Sequence, residues 1–457
     1  EAGETPTSIR INQGKQSAIC NRQSAIEEML SHFSRLTSHN VFSPIPWCTT
    51  GYYLSQRPSF TFDPLFHAGC YYVQEASSMF LEQAFKQLVD LSKPLKVLDL
   101  CAAPGGKSTH IQSLISEDSL LVSNETLKTR SIVLTDNIIK WGCKNVFVTN
   151  NDPKVFQKLP EYFDVMVVDA PCSGSGLFRK DEEAINEWSP NNVLLCSQRQ
   201  QRILADSLAT LKEGGILIYS TCSYSMEEDE AIMDWLVEEM AMENTELRME
   251  NGEWTMENEV GIVQAKSDRT ASVGYRFYPD KIKGEGFFLS CFRKKTAHHT
   301  NRFKSSKTEL VSAKEKKILE EWVPGNTLSF IYYRDEIITL PQNLLQDFSI
   351  LQIILNIQYA GVKIGAVLKD KLVPHHALAQ SNLLNAASPS TELSYDEAIK
   401  YLQRADLQIT TNDIGWQVVR YRNHSLGWIN ALKNRVNNYY PKEIRILKAQ
   451  NNMPLKK

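Results

Sequence analysis

Apolar residues first recur at helical intervals. Ile26, Met29, Leu30, Phe33 and Leu36 in "NRQSAIEEMLSHFSRL" (residues 21–36) fall on one face of a predicted helix. Residues 44–74 lose that period and are dense in proline and aromatics, among them Trp47, Tyr52, Tyr53, Phe60, Phe62, Tyr71 and Tyr72. "YYVQEASSMFLEQAF" then predicts a helix with Ser77 and Ser78 near its first turn. From residue 95 the pattern changes to short β-rich runs, "LKVLDL", "LLVSNE", "NVFVTN", "FDVMVVDA" and "GGILIYST", separated by helical stretches such as "GKSTHIQSLI" and "CSQRQQRILADSLATL". Strands that are apolar throughout and alternate with helices predict a parallel sheet covered on both faces, the doubly wound α/β arrangement. "GEGFFLSCFRK" (residues 284–294) adds a late strand at its end. A Lys- and Ser-rich stretch follows, and residues 318–457 have apolar content of their own, enough for small mixed domains.

At 457 residues the chain exceeds one ordinary core, and about two to four domains are expected. No apolar run reaches the roughly 18 residues of a membrane span. The N-terminus lacks a basic-then-apolar signal pattern, and the nine cysteines are scattered, never spaced as CxxC. These features predict a reducing, cytoplasmic setting without disulfides or a metal site. The doublets His298–His299 and His375–His376 have no spaced partners and predict polar surface. Net charge is −3, but unevenly spread: residues 227–259 carry 13 acids against Arg248, while residues 293–317 carry nine Lys or Arg against two Glu. Residues 430–457 carry seven basic residues against Glu443. Such segments suit either a polyanion touching defined faces or a solvated linker and tail.

"VLDLCAAPGGKSTHI" places Gly105 and Gly106 directly after the first strand and before a helix, where the backbone approaches a ligand closely. Gly106, Lys107 and Ser108 match the end of a Walker A loop, but Cys101 stands at its leading glycine position and Pro104 removes a donor. A nucleoside cofactor that is not a polyphosphate fits better. Glu125, about 20 residues beyond the glycines, suits two ribose hydroxyls. Asp152 after the third strand suits the adenine amino group, or simply a turn.

The fourth strand delivers Asp169-Ala-Pro-Cys172 and the fifth delivers Ser220-Thr221-Cys222. Carboxyl ends of adjacent parallel strands border the crevice where α/β proteins bind ligands. A lone buried cysteine is usually a small hydrophobe, but two at corresponding strand ends, one beside an acid, predict a shared pocket. Thiol chemistry beside a nucleoside cofactor points to cytosine methylation. Addition of a thiolate to carbon 6 converts the ring into an enamine nucleophilic at carbon 5, and an acid near N3 favours the adduct.

In order and spacing, "DLCAAPGGKS", "NE", "NND", "DAPCSGSG", "LKEGGILIYSTCSYSMEEDE" and "KGEGFF" resemble the RNA 5-methylcytosine methyltransferases of the NOL1/NOP2/Sun group. "PTSIRINQGK", "RPSFTFDPLFHAGCYYVQEASSM", "VPHHALA" and "NNYYPKEIRIL" are similar to a bacterial, ribosomal-RNA-directed branch of it. The resemblance implies a Rossmann-like S-adenosylmethionine-dependent core over residues 75–295. It also implies an N-terminal RNA-binding α/β segment (1–74), a basic linker (296–317), a small α/β domain (318–390) and a PUA-like RNA-binding domain (391–457). It implies a cofactor site of Cys101, Ala102, Ala103, Pro104, Gly105, Gly106, Lys107, Glu125, Arg130, Asp152 and Asp169. The implied catalytic set is Cys222 as nucleophile, Cys172 for product release, Asp169 between cofactor and base, and Lys107. Two departures stand out: Asp280 occupies a position where many relatives have His, and the helical segment before "PTSIRIN" is short or absent.

A cytidine inside a helix cannot reach a buried thiol, so the target is unstacked or single-stranded. Arg10, Lys15, Arg57, Arg420, Arg422, Lys433, Arg435, Lys442 and Arg445 are candidate phosphate contacts. Trp428, Tyr439 and Tyr440 are either stacking platforms or core. The expected partner is ribosomal RNA or the small ribosomal subunit, the cofactor is S-adenosylmethionine, and the expected state is a monomer. Transfer RNA methylation, a non-catalytic ribosome-assembly factor and a P-loop ATPase are the competing readings.

Overall fold

A computed structural model describes residues 4–15, 22–36, 42–248, 261–296, 303–409 and 413–448. The predicted run of strands and helices forms the central sheet. Its strands are β1 (Lys96–Asp99), β2 (Leu120–Asn124), β3 (Val146–Thr149), β4 (Phe163–Asp169), β5 (Leu211–Thr221), β6 (Met242–Asn244), β7 (Ile262–Lys266), β8 (Val273–Phe277), β9 (Phe287–Lys294) and β10 (Ile357–Ala360). Their order is β7-β8-β9-β5-β4-β1-β2-β3-β10, with β6 paired to β9. The five predicted strands β1 to β5 are mutually parallel. The late strand β9 runs antiparallel against β5, with Phe288 opposite Thr221.

The apolar strands are buried from both sides because successive side chains alternate between two cores. Val97, Val165, Val167, Ile216 and Ile218 face one core. Leu98, Met166, Val168, Leu217 and Tyr219 face the other. Ile111 of helix α1 (Gly106–Leu114) and Leu134, Ile138 and Trp141 of α2 (Lys128–Trp141) cover the first face. Ile203 and Leu204 of α3 (Pro190–Ser207) and Ile232, Met233 and Leu236 of α4 (Glu230–Glu238) cover the second. The doubly wound arrangement is therefore the observed one.

The N-terminal segment is a four-stranded antiparallel sheet of Phe42–Pro44, Gly51–Leu54, Thr7–Ile11 and Tyr71–Val73. The helix Arg22–Leu36 packs on it through buried Met29 and Phe33, with the Phe33 ring edge-on to Tyr71 at 4.9 Å. Two further four-stranded sheets follow the core, one over residues 328–374 and one over residues 390–438. Residues 297–302 of the expected linker lie outside the described residues, and its end is helical: Ala313–Trp322 opens with a Ser312/Glu315 capping box. The C-terminal part also donates β10 to the central sheet, antiparallel to β3. No described helix is long and apolar enough to cross a membrane.

Candidate active site

The loop after β1 is tied to its neighbours through the backbone. Leu100 N–H donates to Val167 and Ala102 N–H to Asn124, at 2.9 and 2.8 Å. Gly105 has φ 112°, in the left-handed region, and a Cβ there would lie 3.1 Å from Leu134. Glycine is thus required for the turn into α1. Helix α2 holds the loop from outside: Arg130 donates to the Ala103 carbonyl at 2.7 Å and Asn137 to the Pro104 carbonyl at 2.8 Å. Beneath it, Ser108 donates to one oxygen of Asp99 at 2.6 Å. Burial pushes the Asp99 carboxyl up to about 7, against that hydrogen bond.

Strands β4 and β5 bring the two cysteines together. The Cys172 and Cys222 sulfurs lie 2.8 Å apart, both as free thiols. Ala170 N–H donates to Ser220 and Gly176 N–H to Cys222, fixing the register of the two loops. The contact with Cys222, together with burial, pushes the Cys172 thiol well above its ordinary range. Asp169 accepts from Ser220 Oγ at 2.9 Å and from Lys107 Nζ at 2.9 Å. Lys107 also lies 5.2 Å from the Phe287 ring centroid. Burial opposes its charge, but the Asp169 carboxylate prevails and its pKa is raised. A cavity of about 340 Å³ opens here, lined by Cys101, Ala103, Arg130, Asp169, Cys172 and Cys222 among others.

Glu125 is buried at the end of β2, accepting from Leu127 N–H at 2.9 Å and lying 3.5 Å from Arg130. Asp152, exposed after β3, caps a 3-10 turn by accepting from Lys154 N–H, so the turn role weighed in the sequence is real. Engagement of Lys107 by Asp169 disfavours the Walker A reading, which needs that amine on phosphate. Instead, Asp99 Oδ1 and Asn151 Nδ2 are buried without a hydrogen-bond partner among the described residues. Asn124 bridges the Leu100 and Asn151 carbonyls, placing both orphans around one loop cluster. Unpaired polar atoms beside an open helix N-terminus and a buried acid fit a nucleoside.

Several expected RNA contacts are corrected. Arg10 is fully buried, donating to Gln74 and Thr109 and lying 4.5 Å from the Trp141 ring centroid, so it is a core residue. Trp428 and Tyr440 are buried and belong to the core reading. Lys15 is half-buried and donates to the Gln380 carbonyl. Arg57, Lys433, Arg435, Tyr439, Lys442 and Arg445 are exposed, while Arg420 and Arg422 are half-buried. Sequence reasoning missed Asp99, although it is the acid within "VLDL" and the last residue of β1. It also counted the acids after Cys222 without giving them a place, and Glu228, Asp229 and Glu230 are buried.

Residues 87–293 match the family model for 16S rRNA methyltransferase RsmB/F. Residues 2–76 match the N-terminal domain of 16S rRNA methyltransferase RsmF, and residues 388–446 match the methyltransferase RsmF PUA domain. The chain is similar to ribosomal RNA small subunit methyltransferase F of Aeromonas hydrophila, 31% identical over 423 residues, covering 88% of this chain and 85% of that one. The protein of the same name from Shewanella piezotolerans is also 31% identical, with the same coverage of both chains. A crystal structure of a methyltransferase homologue from Pyrococcus horikoshii superposes with a TM-score of 0.50 at 27% identity, covering 64% of this chain and 87% of that one.

Proposed function

The chain belongs to the RsmB/F family of 16S rRNA methyltransferases, and on that premise we propose that it methylates carbon 5 of cytidine in small-subunit ribosomal RNA. The observation that carries the reading is the pair of free thiols 2.8 Å apart, beside a carboxylate held by lysine, at the mouth of one cavity. Cys101 to Gly106, Glu125, Arg130 and Asp152 would hold S-adenosylmethionine, which supplies an electrophilic methyl group when bound. Cys222 adds as thiolate to carbon 6 of the ring, forming the C–S bond and leaving carbon 5 nucleophilic. Lys107 donates to Asp169, so Asp169 acts as an acceptor that orients the flipped base, and a cytosine amino group is a matching donor. Once carbon 5 has taken the methyl group, a base removes its proton, the C–S bond breaks and Cys222 leaves as the thiolate; Cys172, in contact with it, assists that release. The C-terminal PUA domain and the exposed basic residues 433–445 supply RNA affinity without sequence reading.

The test uses small-subunit ribosomal RNA, labelled S-adenosylmethionine and denaturing gels. Cys222→Ala is expected to give neither methylation nor adduct, and Cys172→Ala to accumulate a covalent protein–RNA band. Full activity in Cys222→Ala would sink the proposed chemistry. Bisulfite sequencing of the product reads the modified position.

A further inference from the structure

The acids after β5 need separate explanations. Asp229 and Glu230 share Arg276, at 2.9 and 2.8 Å. Glu228 is fully buried and, among the described residues, has no ion pair. A buried carboxylate without a cation must be satisfied by hydrogen bonds. Glu228 receives four. Ser173 N–H and Gln200 Nε2 donate to Oε1, at 2.8 and 3.1 Å. The hydroxyls of Ser173 and Ser223 donate to Oε2, at 2.5 and 2.6 Å. Ser173 follows Cys172 and Ser223 follows Cys222. Gln200 also donates to the Pro171 carbonyl at 3.0 Å, holding the residue before Cys172. Glu228 is itself anchored where its backbone carbonyl accepts from Tyr219 of β5 at 2.7 Å.

One carboxylate therefore grips the chain next to each thiol, although the two loops leave different strands. We propose that Glu228 is the positioning residue that holds Cys172 and Cys222 at contact distance and so couples attack to release. The inference rests on the thiol roles given above. Glu228 touches neither sulfur; it acts through the two serines. Each serine serves one loop, which separates their effects: Ser223 sets the attacking thiol and Ser173 sets the releasing one.

Phenylarsine oxide, which bridges two neighbouring thiols, reads their spacing in the full chain without RNA. Wild type is expected to bind it and protect both cysteines from alkylation, and Cys222→Ala is expected not to. Glu228→Gln, which keeps size, and Glu228→Ala are expected to weaken arsenical binding about tenfold and to lower kcat about a hundredfold, the scale of an ångström's misplacement. S-adenosylmethionine affinity should stay unchanged. Ser223→Ala is expected to slow adduct formation and Ser173→Ala to prolong the adduct. If Glu228→Ala does not fold, Glu228→Gln and the serine variants decide. Wild-type arsenical affinity and kcat in Glu228→Gln would overturn the inference. Weakened arsenical binding, in an enzyme whose wild type forms no RNA adduct, would sustain the positioning role and overturn only the assigned thiol roles.

Discussion

Two clusters in this molecule combine a cysteine, a carboxylate and a nitrogen base. In one, Cys222 and Cys172 are half-buried at the carboxyl ends of β4 and β5, with Asp169 and Lys107 around a cavity. In the other, Cys48 lies 3.7 Å from His110 Nε2, which lies 3.0 Å from Glu82. Glu82 is further claimed by Thr49 and by Lys86 at 2.6 Å. All three members are buried, and their ligand atoms lie within 4.8 Å of one another. Burial, reinforced by Glu82, pushes the Cys48 thiol up to about 12. Burial also pushes His110 down to about 4, against the pull of Glu82. The residue types of a catalytic triad are thus present where they tie the N-terminal sheet to the core. Placement at a strand end beside open volume distinguishes the thiols proposed to react; composition does not.

The sharpest break of this contrast is Lys107→Met, which leaves Asp169 without its cation. We expect kcat to fall by about 10² or more, with the unfolding midpoint little changed, read by single-turnover methylation and thermal melts. Arg10→Ala, beside the inert cluster, is expected to cost roughly 2–4 kcal/mol of stability while leaving RNA affinity intact, measured by urea unfolding and filter binding. A phosphate-contact role for Arg10 predicts the reverse. Acid comes next. His110 holds about 4 when folded against about 6.5 unfolded, so between those values the unfolded chain binds the extra proton. Its contribution is complete above pH 6.5 and is lost as pH falls toward 4. Glu82, whose folded pKa is also depressed, adds a loss below its unfolded value near 4.3. Wild type should lose on the order of 1–3 kcal/mol more than His110→Gln between pH 7 and 4 in urea titrations. The smallest effect is Cys48→Ala, expected to cost about 1 kcal/mol with methylation unchanged.

Much of this contrast was legible in the sequence, and for a physical reason. Parallel strands buried on both faces read as continuous apolar runs, so the order β1 to β5 and the residues at their carboxyl ends, Asp169, Cys172 and Cys222, follow from pattern. Charge is read less well. Burial of the acids 228–230 was not legible because several of the groups that satisfy them, Ser173, Gln200 and Arg276, lie far away in sequence. Arg10 looked like a phosphate contact because its partners Gln74, Thr109 and Trp141 come from three distant segments. Strand β10 was missed because a four-residue run, Ile-Gln-Tyr-Ala, in a mixed domain shows no preference for one sheet over another.

That strand also constrains how the protein is made. Through Ile357 to Ala360, and through Asn356 bonded to Asn150 and Asn151, the far C-terminal half closes the edge of the central sheet next to the loop bearing Asp152. During synthesis β3 emerges some two hundred residues before its outer neighbour, an interval in which its backbone donors and acceptors are an unpaired edge. A chain terminated at residue 295 would carry the whole proposed thiol chemistry yet expose that edge permanently. Aggregation on translation arrest is therefore the failure expected of it, ahead of any loss of catalytic residues.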